Sequence, residues 1–489
     1  MVNIQKRPRT MVTTLAVLVV SGLTSLLAQE PARVLTLAQA INEALLKNDR
    51  MISQHDGSER AGLAVRGARS AFTPKVVPNM RGSFGQTNVT DQSYRLDVSQ
   101  RFVNGTEVRM GLGTSTAQVP SLIGGDDVRF YNSDTTMLVS QPLLKGFGSG
   151  VTRRTLTLAE LRQADAARQQ KITEQQVAVE VAGAYYRVVA QQAMIAVARR
   201  GFDRARQLRE ASEAKLGAGL VSQLDVLRAQ QLVSQAELQL FDAEASAEDA
   251  RDLLRFLIGD DGSARFDVVP DIPKTVEDIS IDDAISQAWL NRVDLQGAIA
   301  EAADADRAIA FARNQLRPQF DLNLALTRRE TADSLPRSFG LDRFQFASFF
   351  TISMPVDRTP QTIDYQNAVI DRDRRQRDLE TLRRRIADDV RRQLRQRDRV
   401  VRNLTAAENN VQLAQQEVDV ARLRYERGLS NNLDVVTAET NLLNIEGMRI
   451  LALAELATAR LGLRATLGIL DPRKDVADQA AGVRAEDHD

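Results

Sequence analysis

The chain has 489 residues, 64 basic side chains balanced by 64 acidic ones, two histidines and no cysteine. Zero net charge gives no global field toward nucleic acid or an anionic surface, and one Trp with few other aromatics offers no platform for stacked bases, so nucleic acid is not an expected partner. The lack of cysteine excludes disulfides, thiol catalysis and Cys-ligated metals, and His55 and His488 stand outside any ligand cluster, so neither metal nor cofactor is expected.

Residues 1–28 read as a secretory signal. Lys6, Arg7 and Arg9 precede an apolar run over 11–28, and cleavage is expected after Ala28, although Leu26 stands where a small residue is preferred. An uncleaved anchor helix is the alternative, because the run approaches bilayer length. No Cys follows the run, so a lipid anchor on Cys is excluded. No second long apolar stretch follows, which leaves strands as the route into a membrane.

A first structural unit is expected over 29–258. Leu37, Ile41, Ala44 and Leu45 recur at helical spacing within 35–72, and Pro74 ends that helix. Strands follow over about 76–141, where the apolar period becomes that of a strand. Tyr94, Leu96, Val98, Gln100 and Phe102 alternate with Ser93, Arg95, Asp97, Ser99 and Arg101. Asn104-Gly105 marks a hairpin, Val108, Met110 and Leu112 continue the alternation, and a further strand runs through Thr135, Met137 and Val139 to Pro142. A Pro-free helix is predicted over 150–217. Its Val177, Val181, Ala184, Val188, Gln191, Ile195, Ala198 and Phe202 form a heptad seam, which predicts coiled-coil packing. The helix at 222–258 continues the seam with Leu224, Leu227, Gln231, Ser234, Leu238, Phe241 and Ala245. A helix near 65 residues spans on the order of 100 Å, so it forms a rod or a tunnel wall rather than part of a globule.

Gly259, Gly262, Pro270 and Pro273 make 259–279 a linker, after which the pattern begins again over 280–468. Leu37, Ala40 and Ile41 are echoed by Ile281, Ala284 and Ile285, and Ala68, Arg69 and Pro74 by Ala312, Arg313 and Pro318. Strands are expected over about 319–354. Phe320, Leu322, Leu324 and Leu326 face one way, opposite Asp321, Asn323 and Thr327, and Phe344, Phe346, Phe350, Ile352 and Met354 line the next strand. A long helix at 361–427 leads to a tip and a helix at 431–468, with a seam at Leu433, Val436, Thr440, Leu443, Gly447, Ile450 and Ala454. Residues 469–489 read as a flexible tail. The Arg-rich run over 372–402 is interleaved with acids, the mark of a solvated helix face.

The tips carry the clearest duplication. Gly219, Leu224, Asp225 and Ala229 are echoed by Gly428, Leu433, Asp434 and Ala438. Each Gly is expected at a left-handed C-cap, and each Ser222 or Asn431 at an N-cap whose box is closed by Asp225 or Asp434. One-faced apolar strands fit either a half-buried soluble sheet or a membrane barrel. The barrel is the expectation here, because short strand groups sit between very long helices behind a secretion signal. Phe320, Leu322, Leu324, Phe344, Phe346 and Ile352 would then face lipid.

The duplicated helix–strand–helix–tip–helix order, Gly-Leu-x-x-x-Leu-Asp-Val-x-x-Ala at 428–438, Tyr425-x-x-Gly428 and the run from Gln141 to Gly148 resemble the TolC-like outer membrane efflux proteins over roughly residues 35–468. The resemblance implies an α+β membrane protein of two internal repeats. Long antiparallel coiled-coil helices form a periplasmic tunnel, and strands contribute to a transmembrane β-barrel in the outer membrane lipid, closed by a homotrimer. It implies a passive exit duct for small molecules or proteins, with a periplasmic adaptor (membrane fusion) protein and an inner-membrane transporter or protein exporter as partners. Adaptor docking falls on Gly219, Leu220, Val221, Ser222, Gly428, Leu429, Ser430 and Asn431. Asp434, with Asp225 as its counterpart, matches an acidic gate position, while Thr437 replaces a second acid; helix capping alone also accounts for both acids. The first half departs from the pattern by about two extra strands at Asn104-Gly105, which either enlarge the barrel or form a flap. No enzyme motif is present. The rival reading is a structural periplasmic coiled-coil adaptor or envelope tether held by an uncleaved anchor, which has no use for paired strands.

Overall fold

The computed structural model describes residues 33–82, 92–119, 128–260, 262, 266–276, 278–339 and 343–474. The expectations for residues 1–28 and for most of the tail lie outside these. Strand β1 (Arg33–Leu35) leads into α1 (Leu37–Lys47), which opens with a capping box between Thr36 and Gln39. Residues 35–72 do not form the single helix that their periodicity predicts. The backbone is extended at Asn48, whose side chain accepts from Arg50 N to start α2 (Asp49–Arg69). The second repeat breaks at the same place, at Arg292 between α6 (Ile281–Asn291) and α7 (Val293–Gln315). One extended residue redirects a helix without erasing the apolar spacing on either side, so periodicity reads through it.

The strands are β2 (Lys75–Gly82), β3 (Gln92–Arg101), β4 (Glu107–Val119) and β5 (Val128–Pro142) from the first repeat, and β7 (Gln319–Ala332) and β8 (Gln345–Ser353) from the second. They form one antiparallel sheet in the order β2-β3-β4-β5-β7-β8. The expected linker at 259–279 contains β6 (Phe266–Val268), paired parallel with β1. Tyr185 fastens this pair, its hydroxyl lying 3.1 Å from Leu35 O and accepting from Val269 N at 3.1 Å. Burial pushes that hydroxyl up to about 12.

Four helices make the long layer: α4 (Arg154–Gly217), α5 (Gln223–Ile258), α9 (Thr359–Glu426) and α10 (Asn432–Thr466), with a short α3 (Ser149–Thr152) leading into α4. At 64 and 68 residues, α4 and α9 each run about 100 Å. α4 packs between α5 and α10, and α9 packs on α10, so the layer reads α5–α4–α10–α9. α2 continues the column of α5, and Asn48 Nδ2 donates to Leu257 O at their junction (2.9 Å). The expected seam of α4 is buried at Val177, Val181, Ala184 and Val188. An unforeseen seam on α9, through Ala414, Val418, Ala421 and Tyr425, packs on Val435, Ala438 and Leu442 of α10. Each fully buried Leu or Val contributes about 2 kcal/mol.

The seam on α5 corrects the sequence reading. Leu224, Leu227, Leu238 and Phe241 stay exposed, the last at 67%. The helix instead turns Val226, Ala229, Leu232 and Ala236 inward. A heptad pattern specifies that a helix packs, not which partner it packs on, and among the described residues nothing covers this face.

Candidate functional site at the helical tips

Both tips end their first helix in the same way. Gly219 and Gly428 hold φ of 74° and 70°. Leu220 N donates to Lys215 O and Gly219 N to Leu216 O, both at 2.9 Å, while Leu429 N donates to Arg424 O (2.9 Å) and Gly428 N to Tyr425 O (3.2 Å). This is the Schellman arrangement twice over, and it requires a left-handed residue at each turn. The following residues, Leu220 and Leu429, are each 73% exposed. Two unpaired leucines thus protrude at the same end of the helix layer, beside the polar Ser222, Ser430 and Asn431.

The second halves of the tips differ. Ser222 and Asp225 form the expected capping box, and Asp225 also pairs with Arg228 at 3.8 Å. Asn431 makes no side-chain cap bond, so the expected second box does not form. Asp434 is exposed and takes a hydrogen bond from Ser430 Oγ instead. Ser430 lies before the N-cap and competes with the backbone for that carboxylate.

Behind the second tip lies a buried polar cluster that sequence reading did not find. Ser212 of α4 hydrogen-bonds the Tyr425 hydroxyl of α9 at 2.9 Å. Asn432 Nδ2 of α10 donates to Ser212 Oγ (3.1 Å) and to Asp225 O of α5 (2.9 Å). Lys215 Nζ donates to Tyr425 O at 2.7 Å and lies 3.9 Å from that ring's centre. Two turns further, Glu439 of α10 is 4% exposed and sits between Arg204 of α4, at 2.8 Å, and Arg422 of α9. The four helices are therefore fastened at this end by directional bonds as well as by apolar contact. The signal was available only as polar residues at inward positions; nothing in their spacing reveals that they meet.

At the other end, register sorts the sheet into two faces. Cross-strand pairs Val76–Val98, Val98–Met110, Met110–Met137, Met137–Leu326 and Leu326–Phe346 run an apolar row across all six strands. Phe320, Leu322 and Leu324 share this face with Phe346, Phe350 and Ile352, and the Phe320 and Phe350 rings stack at 5.5 Å. Phe344 lies one residue before β8 rather than within it. Arg95, Asp97, Arg109, Asp134, Asn323 and Arg329 take the other face. The apolar row gives way at Arg328, which is buried beneath the short α8 (Leu335–Ser338) and donates to Ser338 O at 3.0 Å.

A family model described as outer membrane efflux protein matches residues 40–260 and 284–469. The chain belongs to this family. Among solved structures it is similar to the outer-membrane channel OprN at 17% identity, with a TM-score of 0.67 over 88% of this chain and 89% of that one. It is also similar to the outer membrane protein VceC of Vibrio cholerae, at 17% identity and TM-score 0.65, covering 88% and 96% of the two chains. The MtrE outer membrane channel of Neisseria gonorrhoeae, solved in its open state, matches at 19% identity and TM-score 0.63 over 88% and 89%. No match was found among curated protein sequences. The family places the chain among outer membrane efflux proteins, and these neighbours share its fold. Among the described residues no helix is long and apolar enough to cross a membrane, and no acidic or histidine cluster is arranged to hold a metal ion.

Proposed function

We propose that three copies of this chain assemble into a passive exit duct through the outer membrane. The duct would receive small molecules or proteins from an inner-membrane transporter through a periplasmic adaptor. The observation that carries the reading is that one chain is an open segment of wall at both levels. Its sheet has β2 and β8 as outer edges. Its helix layer ends in α5 with the heptad row of Leu224, Leu227, Leu238 and Phe241 exposed. Open sheet edges do not persist in lipid, and an exposed heptad row requires a second helix, so both features call for further copies of the same chain. Phe320, Leu322, Leu324, Phe346 and Ile352 then face lipid, and the charged face lines water. The protruding tips, with Leu220 and Leu429, are where the adaptor docks, and Asp434 faces the narrow end. A tether on an uncleaved anchor has no role for a six-stranded sheet with one apolar face.

The test combines localisation and mass. Outer-membrane fractionation, heat-modifiable migration and detergent mass measurement should give a trimer. Leu324→Arg should cost about 2–4 kcal/mol of insertion, whereas Thr327→Arg, on the other face, should insert normally. A soluble monomer, or equal insertion of the two variants, would remove the proposal.

A further inference from the structure

We infer that the β3–β4 hairpin is a permanent part of the barrel wall, so that each chain contributes six strands and three chains close an eighteen-stranded barrel. This inference rests on the trimeric duct proposed above. Among the described residues the two repeats differ in strand number. The second repeat supplies two strands, β7 and β8, within residues 319–353, whereas the first supplies four within 75–142. A symmetric duplication with two strands per repeat would close a trimer with twelve.

Three observations place the hairpin in the wall. First, it is paired along both flanks. β3 matches β2 from Lys75–Ser99 to Gly82–Gln92, and β4 matches β5 from Glu107–Ser140 to Val119–Val128. A flap would leave one flank unpaired, with the cost of open backbone groups in lipid. Second, Arg95 of β3 reaches across β4 to Asp134 of β5 at 2.8 Å, while its Nε holds Asp97 at 2.8 Å, and Asp97 takes a bond from Asn79 of β2 at 3.0 Å. The crossing is possible because β4 presents Gly111 and Gly113 there. A Cβ on Gly111 would lie 2.5 Å from the Arg95 guanidinium, and one on Gly113 would lie 2.4 Å from the Asp134 carboxylate. A charged ladder thus stitches β2 to β5 on the polar face. Third, the Asn104-Gly105 turn docks at the helical end of the sheet, where Gly148 N donates to Asn104 O at 3.3 Å. The hairpin therefore starts at the same level as the other strands.

Closure by copies of the same chain also fits. The outer edges β2 and β8 have eight and nine residues. With an even number of antiparallel strands, β8 runs opposite to β2, so the β2 of a second copy continues the pattern. Strands about 4.8 Å apart and tilted about 40° give a backbone diameter of about 36 Å for eighteen strands, against about 24 Å for twelve. The outlet is then wide enough that size selection falls to the helical tips.

The lack of cysteine gives a clean background for the test. V76C/V98C bridges β2 to β3 and V108C/V139C bridges β4 to β5, each between directly opposed residues. Electron cryomicroscopy of the trimer in lipid nanodiscs should give a barrel about 36 Å across, and both bridges should form in membranes. A trimer with a barrel about 24 Å across, or one lacking either bridge, would overturn the inference while leaving the duct intact. A protein that does not form a trimer in lipid would remove both.

Discussion

The two tips share a turn and differ in everything that surrounds it. Gly219 and Gly428 have nearly the same φ, the same pair of closing hydrogen bonds and open space around the missing Cβ. Yet aligning Asp225 with Asp434 sets exposed Gln230 against buried Glu439, and exposed Gln223 against fully buried Asn432. The first tip is held by its own capping box. The second is held by bonds to three neighbouring helices, and it leaves its acid unengaged by the cap. Duplication thus copied the local turn, while position in the layer decided which copy carries the cross-helix ties.

The largest test of this contrast is Glu439→Gln, which removes the charge held between Arg204 and Arg422. Losing the charge-assisted bonds of buried Glu439 to the partly exposed Arg204 and Arg422 should cost about 2–3 kcal/mol in the melting of the purified protein. Gln230→Ala, at the matching place in the first tip, should stay within about 0.5 kcal/mol. Comparable losses would mean that the second tip is not the tied one.

Next in size are Gly219→Val and Gly428→Val. Each forces a β-branched residue into the left-handed region at about 1–3 kcal/mol. The two losses should match, because the backbone is the same and neither site meets a neighbour. Gly428→Val should also impair adaptor-dependent export without affecting insertion, and normal export would mean that the second tip does not dock.

Ser222→Ala should cost about 1 kcal/mol by opening the capping box, and Asn431→Ala close to nothing. Equal losses in a denaturant melt would restore the symmetric capping that the sequence suggests.

The smallest effect on stability and the sharpest on transport belong to Asp434→Asn. In the proposed trimer three exposed carboxylates would surround one axis and focus negative potential, so block of bilayer conductance by multivalent cations should weaken about tenfold with an unchanged melting temperature. Asp225→Asn should lower the melting temperature and leave block unchanged. If Asp434→Asn also leaves block unchanged, the carboxylate is not at the constriction.

The sequence by itself determined what is local or periodic. The left-handed turns at Gly219 and Gly428 follow from residue type and helix ending. The long α4 and α9 follow from uninterrupted helix formers, and the strand faces follow from alternation that register later aligned, as in Leu324 beside Ser348 and Val139. Tertiary structure alone decided the rest. The break at Asn48 was hidden because one residue does not disturb a period. The exposure of Phe241 was hidden because a heptad names no partner. The assignment of Asp434 to Ser430 turned on a competing hydroxyl one residue before the cap. The meeting of Ser212, Tyr425 and Asn432 joins positions about two hundred residues apart, and their short hydrogen bonds depend on a layer order that no local pattern encodes.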